Sequence, residues 1–340
     1  MSNVVYLLGA GASFGTRENG IGSPILTGLP IVSEIGGELE IIASLLASLP
    51  LNDKELEECK QNLIKDFQDL KDQCAGITID SYARELWFQK DMRGFSHVEL
   101  LLTIFFIFEQ IIHKPDSRYK SFLLKVAQRD KVYDALELSP KIGILSWNYD
   151  NQIELAYRQF FGDNYSYIRE RLGIYDVKDY EHKHLSQKYC KIIKLNGTAN
   201  FTQEEDWLRY SDNNTIDESV LKMILERYNT CFQLGRSCDG MLRLNFAWEK
   251  LWSEDMLINK IPQLVQDAQA LVVIGYTFPD YNREIDRIIF ENMPNLSNIY
   301  IQDPNAEHVK QSVLLRASQR HLKIELFQNR IEQFLLPPEL

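Results

Sequence analysis

The residues best suited to chemistry sit in short polar clusters, each placed directly after an apolar run. Ser146-Trp147-Asn148-Tyr149-Asp150 follows Ile142–Leu145. Residues at i and i+2 on an extended segment share one side, so Asn148 and Asp150 should project together. A carboxylate there could stabilise a positively charged glycosyl centre, and an amide could hold a ribose hydroxyl or an attacking water. The alternative for Asp150 is a cap on the helix predicted over Asn151–Phe161. Near the N-terminus, Gly9-Ala10-Gly11-Ala12-Ser13-Phe14-Gly15 follows Val4-Val5-Tyr6-Leu7-Leu8. That pattern reads as a buried strand entering a dinucleotide-binding turn. Gly9 permits the bend, Gly11 lets the backbone approach a pyrophosphate, and a following helix N-terminus offers free N–H groups. The third glycine falls one place late for GxGxxG, so a bare turn remains the alternative. Further strand ends give Lys194-Leu195-Asn196-Gly197-Thr198, Gly275-Tyr276-Thr277-Phe278-Pro279-Asp280 and Gln302-Asp303-Pro304-Asn305. Polar groups at several strand ends together point to a phosphate, ribose and base site more strongly than any one motif does.

The elements that must position these groups are five apolar, β-branched runs: Val4–Leu8, Ile142–Leu145, Ile192–Leu195, Leu271–Ile274 and Ile299–Ile301. They predict an α/β fold with a Rossmann-like parallel sheet, helices on both faces, and a ligand crevice at the strand C-termini. Two insertions interrupt it. The first, 29–138, shows helical spacing over Ile31–Leu49, Leu51–Cys74 and Val98–Ile112. The second, 201–264, reads as mostly helical, with Trp207, Trp248 and Trp252 as packing anchors. Neither repeats nor Pro-rich linkers appear, so the chain reads as one domain, 1–340, carrying both insertions.

The net charge of −11 and pI near 5.2 argue against direct nucleic-acid binding, which requires clustered Lys and Arg. Cys59, Cys74, Cys190, Cys231 and Cys238 are odd in number and form no CxxC pair, so neither a disulfide framework nor a zinc ribbon is expected. No export signal is read at the N-terminus, which leads to the expectation of a cytoplasmic protein. Val98–Ile112, the most apolar stretch, is shorter than a membrane span and contains Glu99 and Glu109. It is expected to be buried or to meet another subunit.

Taken together, these motifs resemble the sirtuin-like proteins, in particular bacterial sirtuin-like effectors that hydrolyse NAD during anti-phage defence. The family's GAGxS motif is matched by Gly9, Ala10, Gly11 and Ser13, with Gly28-Leu29-Pro30 echoing a later element. Its Thr-x-Asn-x-Asp motif is matched by Ser146, Asn148 and Asp150, and its Gly-Thr-Ser element is approximated by Gly275, Tyr276 and Thr277. The segment that closes over adenosine is looked for at Gln302 and Asp303. The resemblance implies that NAD is the substrate, with Asn148 and Asp150 on its nicotinamide side. It further implies a homo-oligomer and a regulatory partner such as an ATPase, helicase-like or Argonaute-type subunit, and no zinc.

Two departures matter. The four-cysteine ribbon of sirtuin deacylases is absent, which disfavours deacylation. The family's Leu-His-Gly motif appears as Leu195-Asn196-Gly197, and an amide accepts no proton at neutral pH. Asn196 is then a catalytic adaptation that positions water, an engineered trap, or the mark of a pseudoenzyme that only binds nucleotide. His97, His182 and His184 are the other imidazoles considered as a replacement base.

Overall fold

The computed structural model describes residues 2–130, 135–161, 165–176, 191–202, 214–233, 241–246, 248–249, 256–317 and 321–340. His182, His184, Cys190, Trp207, Cys238 and Trp252 lie outside them. Cys59, Cys74 and Cys231 are thiols, not disulfide halves. The chain divides into two compact units, the first comprising Met1–Gly15, Pro115–Thr198 and Asn245–Leu340, the second Thr16–Lys114 and Ala199–Leu244.

The chain opens with β1 (Val4–Leu8), then leaves the first unit for β2 (Thr16–Arg17), β3 (Ile25–Thr27), α1 (Ile35–Ser48), α2 (Lys54–Gln73), α3 (Ile79–Phe88) and α4 (Met92–Ile112). It returns with α5 (Ser117–Val126), β4 (Ala127–Asp130), β5 (Ala135–Leu138), β6 (Ile142–Ser146), α6 (Gln152–Phe161), α7 (Tyr165–Leu172), β7 (Ile174–Tyr175) and β8 (Ile192–Lys194). A second excursion carries β9 (Gly197–Phe201), α8 (Glu218–Gln233) and β10 (Leu242–Leu244). The chain ends with α9 (Met256–Val265), β11 (Ala270–Ile274), α10 (Arg283–Glu291), β12 (Asn298–Gln302), α11 (Ala306–Arg316) and β13 (Lys323–Phe327).

Seven strands form one parallel sheet in the order β13-β12-β11-β1-β6-β8-β7. All five expected strands are in it. Successive residues of a strand point to opposite faces, and the core follows that period of two. Val5 and Leu7 pack with Leu145, Leu271 and Val273 against Leu264, Ile289 and Val313 from α9, α10 and α11. Val4, Tyr6 and Leu8 face the other side, against Phe122, Ala156, Tyr157 and Leu172 from α5, α6 and α7. Burial on both faces is why the central strands are unbroken apolar runs. The two strands not expected are the two edges: β7 has only two residues, and β13 alternates Lys323 and Glu325 with half-buried apolar side chains.

The insertion boundaries differ from those expected. Residues 115–138, with α5 and β4–β5, belong to the first unit, as does α9. Their apolar faces pack on the sheet: Tyr119 and Phe122 of α5 on one side, Ile261 and Val265 of α9 on the other. In the second unit, α4 runs 21 residues and starts six before the expected Val98, so it is long and apolar enough to cross a membrane. Its most apolar 18-residue window is 89% buried within the protein, and this packing, not a shortage of length, accounts for it. Of the two expectations for this stretch, burial is the one the structure shows. Aspartate caps set several helix starts: Asp53 accepts from the Glu55 and Leu56 N–H groups, Asp91 from Gly94, and Asp116 from Arg118.

Candidate functional site

After β1 the chain lays down β6, then β7 at the edge, then β8 between them, and returns to place β11 on the other side of β1. The point where strand order reverses is where open α/β sheets leave a crevice beyond the strand C-termini. At this point the two glycine turns meet. A Cβ on Gly11 would lie 2.7 Å from the Gly275 Cα, and one on Gly275 (φ +57°) only 2.3 Å from the Gly11 Cα. A Cβ on Gly9 would lie 2.5 Å from the Gly275 oxygen. The glycines thus allow one turn to pack directly on the other, a role not anticipated from their spacing. Phe278, three residues on, holds a left-handed φ of +58°, which is strained for a non-glycine residue.

The segment after β1 corrects a second expectation. It forms only one turn of 3-10 helix, Ala10–Ser13, and then becomes extended at Thr16, so no long helix offers its N-terminus there. The Gly11 N–H donates to the Gly275 oxygen at 3.0 Å and the Ala12 N–H to Gly9 at 2.8 Å. Arg118 donates to the Gly11 and Ala12 carbonyls and is itself clamped by Asp116, which also accepts from the Gly15 N–H. Asp116 was not singled out in the sequence. Nothing in the local pattern pointed to Arg118, which reaches across about a hundred residues.

The amide of Asn148 is tied into this turn. Its Nδ2 donates to the Gly9 oxygen at 2.9 Å and to Ser13 Oγ at 3.0 Å, and Ser13 Oγ lies 2.9 Å from the Tyr119 hydroxyl. Ser146 Oγ accepts from the Asn148 N–H. Both Nδ2 hydrogens are therefore committed, and Oδ1 is the atom through which Asn148 can meet a ligand. Asp150 does cap α6: its Oδ1 accepts from the Gln152 N–H at 3.0 Å. The Asp150 carbonyl accepts from Lys194 Nζ, which also meets Glu154 at 3.2 Å. Burial raises the Glu154 carboxyl above its usual range, against the pull of Lys194 and Arg169.

β6 and β8 pair with Ser146 opposite Lys194, so Asn148 and Asn196 occupy matching positions two residues beyond. Asn196 Nδ2 donates to the Trp147 oxygen at 2.9 Å, and its backbone oxygen accepts from Asn245. Asn196 Oδ1 is buried and meets no hydrogen-bond partner among the described residues. Buried polar atoms are nearly always satisfied, so this acceptor at a strand end is left open to a donor.

The other expected contacts are occupied from within. The Tyr276 ring stacks on Trp147 at 5.7 Å, and its hydroxyl donates to Asp286 on α10 at 2.9 Å. Burial pushes the Asp286 carboxyl up to about 7, although Tyr276 and Arg316 oppose the shift. Gln302 donates to the Arg330 and Gln333 carbonyls and accepts from the Leu335 N–H, so its side chain ties the C-terminal segment to β12. Asp303 accepts from the N–H of Asn305, the residue just before α11, in the turn that leads into the helix. Of the third element only Thr277 is exposed. His97 lies in the second unit, 3.0 Å from Asp66, and Gly28 in the same unit donates to the Lys114 oxygen.

The fold defines a Rossmann-like α/β protein whose buried polar side chains Asn148 and Asn196 lie beyond the C-terminal ends of neighbouring parallel strands. Comparison with protein-family models, curated proteins and solved structures finds no match in any of the three.

Proposed function

We propose that this chain is a sirtuin-like NAD glycohydrolase that cleaves NAD to nicotinamide and ADP-ribose, with the reaction placed at Asn148, Asp150 and Asn196. The observation that carries this reading is the buried, unpartnered Asn196 Oδ1 beside the Asn148–Ser13–Gly9 network. An amide oxygen in that position accepts a hydrogen bond from water or a ribose hydroxyl, although it takes no proton.

The chemistry is compatible with an amide. When the bond from C1′ to the pyridinium nitrogen breaks, its electron pair neutralises that nitrogen, so nicotinamide leaves without a general acid. The sugar becomes oxocarbenium-like, and a nearby carboxylate, here Asp150, stabilises it electrostatically. Water held by Asn196 then bonds to C1′ and sheds its proton to solvent only after it has become acidic. The lack of a general base is worth about a hundredfold to ten-thousandfold in rate, so slow turnover is expected. Such a reaction depletes a cofactor and needs restraint, for which the family resemblance supplies a role in anti-phage defence under a regulatory partner.

A second reading, an NAD or ADP-ribose binding module without turnover, is favoured by Asn196 itself. Release of nicotinamide and ADP-ribose from NAD, followed by chromatography, separates the two. Turnover by the unaltered chain that disappears in Asn148→Ala and Asp150→Ala supports the hydrolase. NAD binding without turnover in both the unaltered chain and Asn196→His supports the module, whereas activity gained only in Asn196→His marks a disabled hydrolase. No binding and no turnover in any variant overturns both.

A further inference from the structure

In the second unit, the end of α4 meets α1 through a buried cluster that the crevice chemistry does not use. Glu38 of α1, Glu109 of α4 and His113, the residue that ends α4, each offer one ligand atom, all within 4.8 Å of one another. Glu109 and His113 are one helical turn apart and so share a face. His113 Nε2 lies 3.5 Å from Glu109 Oε2.

We infer that Glu38, Glu109 and His113 form a binding site for a zinc-class divalent cation that fastens α4 to α1. The decisive observation is Glu109: it is 0% exposed, and neither carboxylate oxygen has a hydrogen-bond partner among the described residues. His113 Nε2 is equally without a hydrogen bond. Ionised, Glu109 buries a charge that no donor meets; protonated, it has the His113 Nε2 only at 3.5 Å, longer than a good hydrogen bond, and its other oxygen still lacks a donor. A cation satisfies all three groups at once. Glu34, one turn before Glu38, shows the contrast: its oxygens accept from Arg17 and from the Gly22 and Ile31 N–H groups.

Charge and distance agree with this assignment. The charged groups acting on the cluster are Glu34, Glu38, Glu109 and Arg17, and the last is clamped to Glu34 at 2.7 Å. With every carboxyl ionised, that leaves two uncompensated negative charges, which one divalent ion neutralises. Ligand atoms about 2.0–2.1 Å from a tetrahedral zinc are about 3.3 Å apart, close to the His113–Glu109 separation. One imidazole with two carboxylates suits zinc better than calcium or magnesium, which favour all-oxygen shells. Three protein ligands leave a fourth position for water. The cysteine spacing searched in the sequence belongs to a different kind of zinc site, so its absence says nothing of this one.

The test uses the untagged full-length chain, stripped with a chelator and dialysed against zinc at about micromolar free concentration, with bound metal measured by mass spectrometry. One zinc per chain is expected. Glu109→Gln and His113→Gln should each weaken binding by at least about tenfold. Zinc should also raise the melting temperature of the unaltered chain by several degrees and leave that of His113→Gln nearly unmoved. His113 ends a helix and is partly exposed, so its variant remains informative if Glu109→Gln does not fold. Failure to retain zinc, retention of manganese in preference to zinc, or equal zinc in the variants would each overturn the site. So would a thiolate charge-transfer band in the cobalt-loaded chain, which would place the ion on cysteine.

Discussion

At the scale of residues, the glycines and amides at the strand ends hold the turns there together. Gly11 and Gly275 pack Cα against Cα, so Gly11→Val meets backbone before it meets any ligand. We expect this variant to lose stability, seen as a lower melting temperature by circular dichroism without NAD present. An unchanged melting temperature with weakened NAD binding would restore the pyrophosphate role read from the spacing. Asn148→Ala should abolish nicotinamide release. It should also cost about 1 kcal/mol of stability, because the two buried bonds from its Nδ2 to the Gly9 oxygen and to Ser13 Oγ are lost, while the Gly9 oxygen keeps the Ala12 N–H. Asp150→Asn keeps an oxygen able to cap Gln152 but removes the charge. Loss of turnover in this variant with unchanged urea unfolding separates electrostatic stabilisation of the sugar cation from helix capping.

At the scale of elements, two buried polar ties connect strand ends to helices. Lys194 of β8 joins the Asp150 carbonyl and Glu154 of α6. Removing one partner of a buried pair leaves an uncompensated group, so Lys194→Met should destabilise the protein by about 3–5 kcal/mol. Adding Glu154→Gln should recover part of that loss in a double-mutant cycle by urea unfolding. The second tie joins Tyr276, beyond β11, to Asp286 on α10 and Arg316 on α11. Burial raises the Asp286 carboxyl from 3.8 to about 7, so between those values the folded chain holds a proton that the unfolded chain has released. The stability contributed by this raised acid is full below the lower value and declines as pH rises to the upper one. Asp286→Asn should therefore flatten the fall in melting temperature between about pH 4 and 7. An identical slope in both proteins would place the titration elsewhere.

At the scale of the whole molecule, the C-terminal segment completes the first unit. Phe334 packs edge-to-face on Tyr119 at 5.0 Å, and the Leu335 oxygen accepts from the Tyr6 hydroxyl in the middle of β1. Phe334→Ala should cost about 3 kcal/mol, as truncation of a buried aromatic does. Calorimetry would show whether the two units melt separately, in which case this variant lowers only one transition and zinc raises only the other.

The sequence by itself determined the class of fold and the strand ends that carry polar groups. Central strands buried on both faces must be continuous apolar runs, and polar residues directly after them can only lie at the sheet's rim. That local logic made β1, β6, β8, β11 and β12 legible, along with Asn148, Asp150 and Asn196. It could not reach β13, whose alternation of charged and apolar residues is that of an edge, or the full length of α4, whose first turns are polar. Tertiary structure alone decided what each polar atom meets. The packing of Gly11 on Gly275, the hold of Gln302 on the C-terminal segment, and the convergence of Glu38 with Glu109 and His113 are long-range contacts. No periodicity encodes them, because they depend on which elements the folded chain brings side by side.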